Sequence, residues 1–161
     1  MSQKSATAKA VKSVSTKSST KTVGARSPTL AKIGGRDDAD VKMRALSIRQ
    51  PWVEEIMRGS KVIEYRSVNT NIRGTIYIYA GLGRYPKDEE ASLVEDIGYD
   101  IDDLPRGFIV GTVDIVDCVQ NQAEGDFEWS LANPKRLKIF LKPTSRPNPI
   151  WFFPFGNPAD G

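Results

Sequence analysis

The chain of 161 residues contains no histidine and a single cysteine, Cys118. Without histidine the commonest general base is missing, and so is the usual activator of a serine or cysteine nucleophile. A lone cysteine cannot close an internal disulfide, and a zinc site of the usual Cys and His ligands is excluded. Any chemistry has to rest on Lys, Glu, Asp, Tyr or Thr, and no metal and no cofactor are expected. Acidic residues are absent from the first 36 positions, and no Phe, Trp or Tyr precedes Trp52. No apolar run has the length needed to span a bilayer and no charged-then-apolar secretory signal opens the chain, so a soluble, intracellular, cytoplasmic protein without membrane contact is expected.

What fills the start of the chain is Lys4, Lys9, Lys12, Lys17, Lys21, Arg26, Lys32 and Arg36 among Ser, Thr and Ala. Such a segment has no large apolar groups to offset the entropy of ordering. Residues 1–42 are therefore expected to form a disordered basic tail, followed by one domain over 43–156 and a short C-terminal tail, 157–161. Residues 1–42 carry nine Lys or Arg against Asp37, Asp38 and Asp40, a net charge of +6; the chain totals +3, which leaves −3 on the remainder. A basic arm suits sequence-independent, salt-sensitive phosphate contacts. A solubilising spacer and a targeting extension remain open alternatives. Deleting residues 1–40 is expected to leave the melting curve unchanged.

The densest segment runs from Ser47-Ile48-Arg49-Gln50-Pro51-Trp52 to Gly59-Ser60-Lys61-Val62-Ile63-Glu64-Tyr65-Arg66. Pro51 is pre-set for a first helical position, Gln50 can stand just outside it, and Gly59 ends the helix. Trp52, Val53, Ile56 and Met57 share one buried stripe, while Glu54, Glu55 and Arg58 stay in water. The helix N-terminus would offer unpaired amides to a phosphate or carboxylate. In the strand that follows, Val62, Glu64 and Arg66 point one way and Ile63 and Tyr65 the other. Lys61, at the turn, can complete a cluster of charges around a small polar ligand. A solvated strand face with ordinary ion pairs is the plain alternative.

Further along, Gly74 to Gly81 alternates as a central strand after a turn-prone loop carrying Arg73. Pro86 to Gly98 is an acidic surface helix, with Leu93, Val94 and Ile97 at helical spacing. Phe108 to Val119 is the strongest strand, in which Asp114 and Asp117 face opposite ways and make a poor acid/base pair. Phe127, Trp129 and Leu131 share a face of another strand, which Asn133-Pro134 is expected to break, leaving Lys135, Arg136 and Lys138 as a cationic cluster beside the break. Ile150 to Phe155 closes the fold or, if exposed, forms a partner or base-stacking surface.

The run S-I-R-Q-P-W-x-x-x-I-x-x-G-x-K-x-x-E-x-R, the Gly107-Phe108-Ile109-Val110-Gly111-Thr112-Val113 strand and Trp129-Ser130-Leu131-Ala132-Asn133-Pro134 together resemble the ASCH domain (activating-signal-cointegrator homology), a PUA-like family. The resemblance covers about Met43 to about Phe155. It implies an α+β fold, a small PUA-like β-barrel with a few short helices around a cleft that holds the G-x-K-x-x-E-x-R segment. It also implies RNA or nucleic-acid binding, linked to transcription coactivation, RNA metabolism or modified bases. Many relatives carry a histidine near Tyr79-Ala80, and here Tyr79 or the Gly81 backbone is the nearest substitute.

Three functions follow. In the first, the domain binds RNA or DNA through a single-stranded or modified base, with Arg49, Gln50, Trp52, Lys61, Glu64, Tyr65, Arg66, Asn133, Lys135 and Arg136 as the candidate contacts. Glu64, an acceptor only when ionised, would favour a base amino or imino group. In the second, the chain is a metal-free amidohydrolase or ribonuclease, as some similar family members are, with Lys61 and Glu64 as a proton-transfer pair. The family's amidohydrolase pattern places a nucleophilic threonine three residues after the lysine, where this chain has Glu64. In the third, it is a coactivator-type protein-interaction module.

Overall fold

In the computed structural model, residues 32–156 are described, and the expectations for residues 1–31 and 157–161 lie outside them. The fold is α+β and barrel-like: six strands form one mixed sheet in the order β2-β5-β4-β3-β1-β6, with two helices. The strands are β1 (Ala45–Ile48), β2 (Ile63–Arg66), β3 (Gly74–Ala80), β4 (Phe108–Gln120), β5 (Phe127–Leu141) and β6 (Trp151–Phe152). Among these six strands β1 and β3 pair in parallel, and the other ladders between them are antiparallel. The helices are α1 (Trp52–Arg58) and α2 (Lys87–Ile97).

The two-residue period of the strands sorts apolar side chains onto two faces. Leu46, Ile48, Ile76, Ile78, Val110, Val113, Trp129 and Leu131 pack with Val53, Ile56 and Met57 of α1. Their neighbours in the chain, Ala45, Tyr77, Tyr79 and Ile109, turn to the other side and pack with Leu141, Phe152 and Phe155. Gly111 makes the first packing layer close: a Cβ there would lie 2.3 Å from the Met57 sulfur and 2.6 Å from the Lys135 carbonyl. The β4 backbone can therefore pass directly under α1.

Asn133-Pro134 does not end its strand. β5 runs on to Leu141, with Asn133 at φ 52 and a register shift between Thr112 and Asp114 of β4. The strand survives because Asn tolerates the left-handed region and the break is absorbed as a bulge, which bends the sheet rather than terminating it. Asn133 donates from Nδ2 to Asp114 at 2.9 Å, and Thr75 donates to the same carboxylate at 2.6 Å. Both partners give Asp114 a structural task and hold its carboxyl below the usual aspartate range.

The packed chain also begins earlier than residue 43. Gly34 bridges to Leu141 in two backbone bonds, Gly34 N to Phe140 O at 2.8 Å and Lys142 N to Gly34 O at 2.9 Å. The Arg36 guanidinium donates to the Phe155 carbonyl, and the Asp40 amide donates to the Tyr77 hydroxyl at 2.8 Å. Ala39, Val41 and Met43 cover the second apolar cluster. Polar composition concealed this anchoring because most of it is backbone hydrogen bonding, which any residue supplies. The expected neutrality of a cut at residue 40 is accordingly replaced. Removing residues 1–40 should lower the melting temperature, relative to removal of 1–31, by on the order of 10 °C, from several bonds of about 1 kcal/mol each. Coincident melting curves of the two truncated proteins would refute this.

Candidate functional site

The site grows from the edge where β2 joins β5. Glu64 stands opposite Trp129 in the ladder, and Arg66 opposite Phe127. Glu64 and Arg66 share a strand face, as the alternation predicts, and their side chains are only 10% and 18% exposed. Val62 departs from that pattern and is exposed, because the strand begins one residue after it.

Arg66 is held from three sides. Its Nη2 donates to the Ser47 carbonyl at 2.9 Å, its guanidinium lies 6.0 Å over the Trp129 ring, and its Nε is 3.2 Å from Glu64 Oε1. That last contact is an ion pair without hydrogen-bond geometry, so Nε remains a buried donor with no partner, and Glu64 Oε2 remains a buried acceptor with none. Lys61 Nζ stands 3.7 Å from Oε2. Orphaned polar atoms of this kind cost about 1–3 kcal/mol each, which a ligand that pairs them recovers.

Glu64 and Arg66 line a cavity of about 660 Å³, within the roughly 300–1,000 Å³ of small-molecule sites. Its lining includes Ser47, Arg49, Trp52, Glu64, Tyr65, Arg66, Tyr79, Gly81, Tyr85 and Arg146. Trp52 donates from its indole to the Tyr85 hydroxyl at 3.0 Å, which fixes one aromatic wall. Tyr79 stands edge-on to Phe152 at 5.3 Å, and burial raises its hydroxyl pKa. Gly81 passes close under β1: a Cβ there would meet the Ile48 carbonyl at 3.4 Å and the Ser47 hydroxyl at 3.5 Å.

The remaining candidates divide. Lys61 lines a smaller neighbouring cavity of about 340 Å³ that shares Trp52 and Tyr65 with the main one. Its ammonium lies 5.5 Å from the Trp52 ring and 5.2 Å from the Tyr65 ring. Gln50 is buried: its amide donates to the Pro105 carbonyl at 2.9 Å and its oxygen accepts from the Glu54 amide at 3.1 Å. Three amides of the first turn of α1 are thereby satisfied from within, since Trp52 N reaches Arg49 O and Glu55 N reaches Pro51 O beside the Glu54 bond. Most of the expected anion seat at that helix end is thus taken by the chain's own groups. The Gln50–Pro51 peptide is cis, and Pro51 caps the helix instead of opening it.

Asn133, Lys135 and Arg136 do not line the cavity. Arg136 instead pairs in two bonds, 2.9 and 2.6 Å, with Glu54, which also accepts from Arg58 at 2.8 Å. Glu54, expected in water, is buried under these two cations, and the Arg136 hydrogen bond leads in lowering its pKa below the ordinary 4.5. A depressed folded pKa stabilises above the unfolded value and is lost as pH falls through the folded value. The stability gap between wild type and Arg136→Ala should therefore be full at neutral pH and narrow on acidification below about 4.5. Melting temperatures across that range check this, and a gap that stays constant into acid would contradict it.

Arg146, Tyr85 and the Pro147-Asn148-Pro149 stretch belong to the cavity lining but were not singled out in the sequence. The only signal for Arg146 and residues 147–149 was the proline-bracketed, irregular loop near the C-terminus, and Tyr85, between β3 and α2, carried none. Among the described residues, no group of three or more His, Cys, Asp or Glu converges as a metal site, and no helix is long and apolar enough to cross a membrane.

The family model of the ASCH domain matches residues 46–140. Over 126 residues the chain is 29% identical to Activating signal cointegrator 1 of Mus musculus and 28% identical to that of Homo sapiens. Each alignment covers 66% of this chain and 21% of the relative, so the chain spans about a fifth of the length of these curated proteins.

Proposed function

The chain belongs to the ASCH domain family, and from that premise we propose that it is an intracellular, cytoplasmic nucleic-acid-binding protein that takes one unpaired base into the main cavity. The observation that carries this is the pair of orphaned atoms, Glu64 Oε2 as acceptor and Arg66 Nε as donor, buried beside aromatic walls. A nucleobase edge presents an N–H and a ring or carbonyl acceptor side by side, which complements such a pair. Trp52, Tyr65 and Tyr85 supply faces for stacking, which is sequence-tolerant and worth about 1–3 kcal/mol per base. A base inside a duplex cannot present its edge to a recessed floor, so the ligand is single-stranded or has the base extruded.

The basic segment adds salt-sensitive attraction to any polyanion, whereas the cavity adds a preference for unpaired bases. Fluorescence anisotropy should show tighter binding to single-stranded RNA or DNA than to duplex, a preference that persists as salt rises. Glu64→Gln, which keeps the side-chain shape but lowers acceptor strength and removes the charge, should weaken single-strand binding by about tenfold or more. Equal affinity for single strand and duplex, together with an unaffected Glu64→Gln, would defeat the proposal. The relatives' name favours a coactivator role as the second reading. Under it the same domain would bind a protein partner, and neither discrimination would be seen.

A further inference from the structure

Three guanidiniums, from Arg49, Arg66 and Arg146, line the main cavity against one carboxylate, Glu64. Arg66 is committed to Ser47 and Glu64. Arg49 and Arg146 are exposed, and neither takes part in an ion pair among the described residues. An excess of positive charge with no internal partner at the cavity wall calls for an anionic group on the ligand.

Both arginines are positioned by something other than a counterion. The Arg49 guanidinium lies 5.2 Å over the Tyr85 ring, and its Nε is close enough to Gly83 that a Cβ there would come within 3.0 Å. Packing against the ring and the bare glycine holds the guanidinium at the cavity wall without a counterion. Arg146 sits on a loop tied at both ends. The Thr144 and Ser145 amides donate to the Pro154 carbonyl at 2.8 and 3.0 Å, and the Ile150 carbonyl accepts from the Ser47 amide at 3.1 Å. Pro147 and Pro149 restrict the backbone between those anchors.

We infer that Arg49 and Arg146 clamp a phosphate on the wall of the base cavity, so that the site selects a phosphorylated nucleotide, free or within a strand, over the corresponding nucleoside. The inference rests on the base-binding reading and adds the group that lies beyond the base. Guanidinium forks match phosphate oxygens in bidentate geometry, and Arg49 and Arg146 line the same cavity as Glu64 and Arg66. It adds a phosphate contact at the cavity itself, apart from the 135–138 cluster, in which Arg136 is already engaged with Glu54.

Calorimetric titration of the full chain with adenosine, guanosine, cytidine and uridine, and with their 5′-monophosphates, tests it. For the preferred base, the monophosphate should bind at least about tenfold more tightly than the nucleoside. Arg49→Ala and Arg146→Ala should each cut that ratio several-fold, and Arg146→Glu should abolish it. The N-terminal basic segment is the same in all these proteins, so its attraction for phosphate cancels between wild type and variants. A wild-type ratio near one, or a ratio unchanged in all three variants, overturns the clamp and leaves base binding standing. Binding of neither nucleosides nor nucleotides overturns base binding and the clamp together.

Discussion

Trp129→Ala should unfold the protein at a much lower temperature and cost it ligand binding even where it remains folded. Trp129 is fully buried, stacks on Trp151 with ring centroids 5.6 Å apart and 10° between planes, and donates to the Val68 carbonyl at 3.1 Å. Truncating a buried aromatic of this size costs about 3–5 kcal/mol through lost contacts and the cavity left behind. It also removes the ring surface on which the Arg66 guanidinium rests, at the position opposite Glu64 in the ladder. Thermal and urea unfolding measure the first effect, and titration with single-stranded RNA well below the midpoint measures the second. A melting temperature within a few degrees of wild type would show that the two indoles do not form the structural support described.

Arg66→Ala is expected to weaken both fold and binding, whereas an arginine on a solvated strand face with ordinary ion pairs would leave the fold intact when removed. The difference lies in burial. Arg66 is tied to the Ser47 carbonyl and beside the largely buried Glu64 carboxylate, so its removal strands a charge and an acceptor away from water. Losing one member of a fully buried pair costs about 3–5 kcal/mol. With Lys61 also beside Glu64 to soften the loss, about 2 kcal/mol of stability is expected. Binding should fall by about thirtyfold or more, because truncating a desolvated, hydrogen-bonded charge costs at least about 2 kcal/mol of affinity. Arg66→Lys should restore more stability than affinity, since an ammonium can neutralise Glu64 but cannot also offer the Nε–H in its fixed plane. Unfolding and binding curves that do not differ from wild type would remove Arg66 from the site.

Strand alternation and helix punctuation specified individual strands, the facing of Glu64 with Arg66, and the buried stripe of α1, because these follow from neighbours a few residues apart. The expectations that failed were those that depended on distant partners. Glu54 looks like a solvated helix residue until Arg136, 82 positions later, folds over it. Arg136 looks like a phosphate contact for the same reason. Gln50 looks like an open ligand group until Pro105 takes its amide. Arg146 carries no local pattern, and it becomes a cavity residue only because β6 pairs with β1 and brings the preceding loop across the mouth of the site. Asn133-Pro134 had the composition of a strand break, yet the neighbouring β4 accepted it as a bulge.

The most direct test of the central claim is an NMR titration that follows arginine side-chain Nε–H signals as single-stranded oligonucleotide is added. Occupation of the cavity by a base predicts that the Arg66 Nε–H resonance moves, with the Trp52 indole, saturably and at the same midpoint. Perturbations confined to the Lys135, Arg136 and Lys138 region, with Arg66 Nε–H unmoved at saturation, would contradict it.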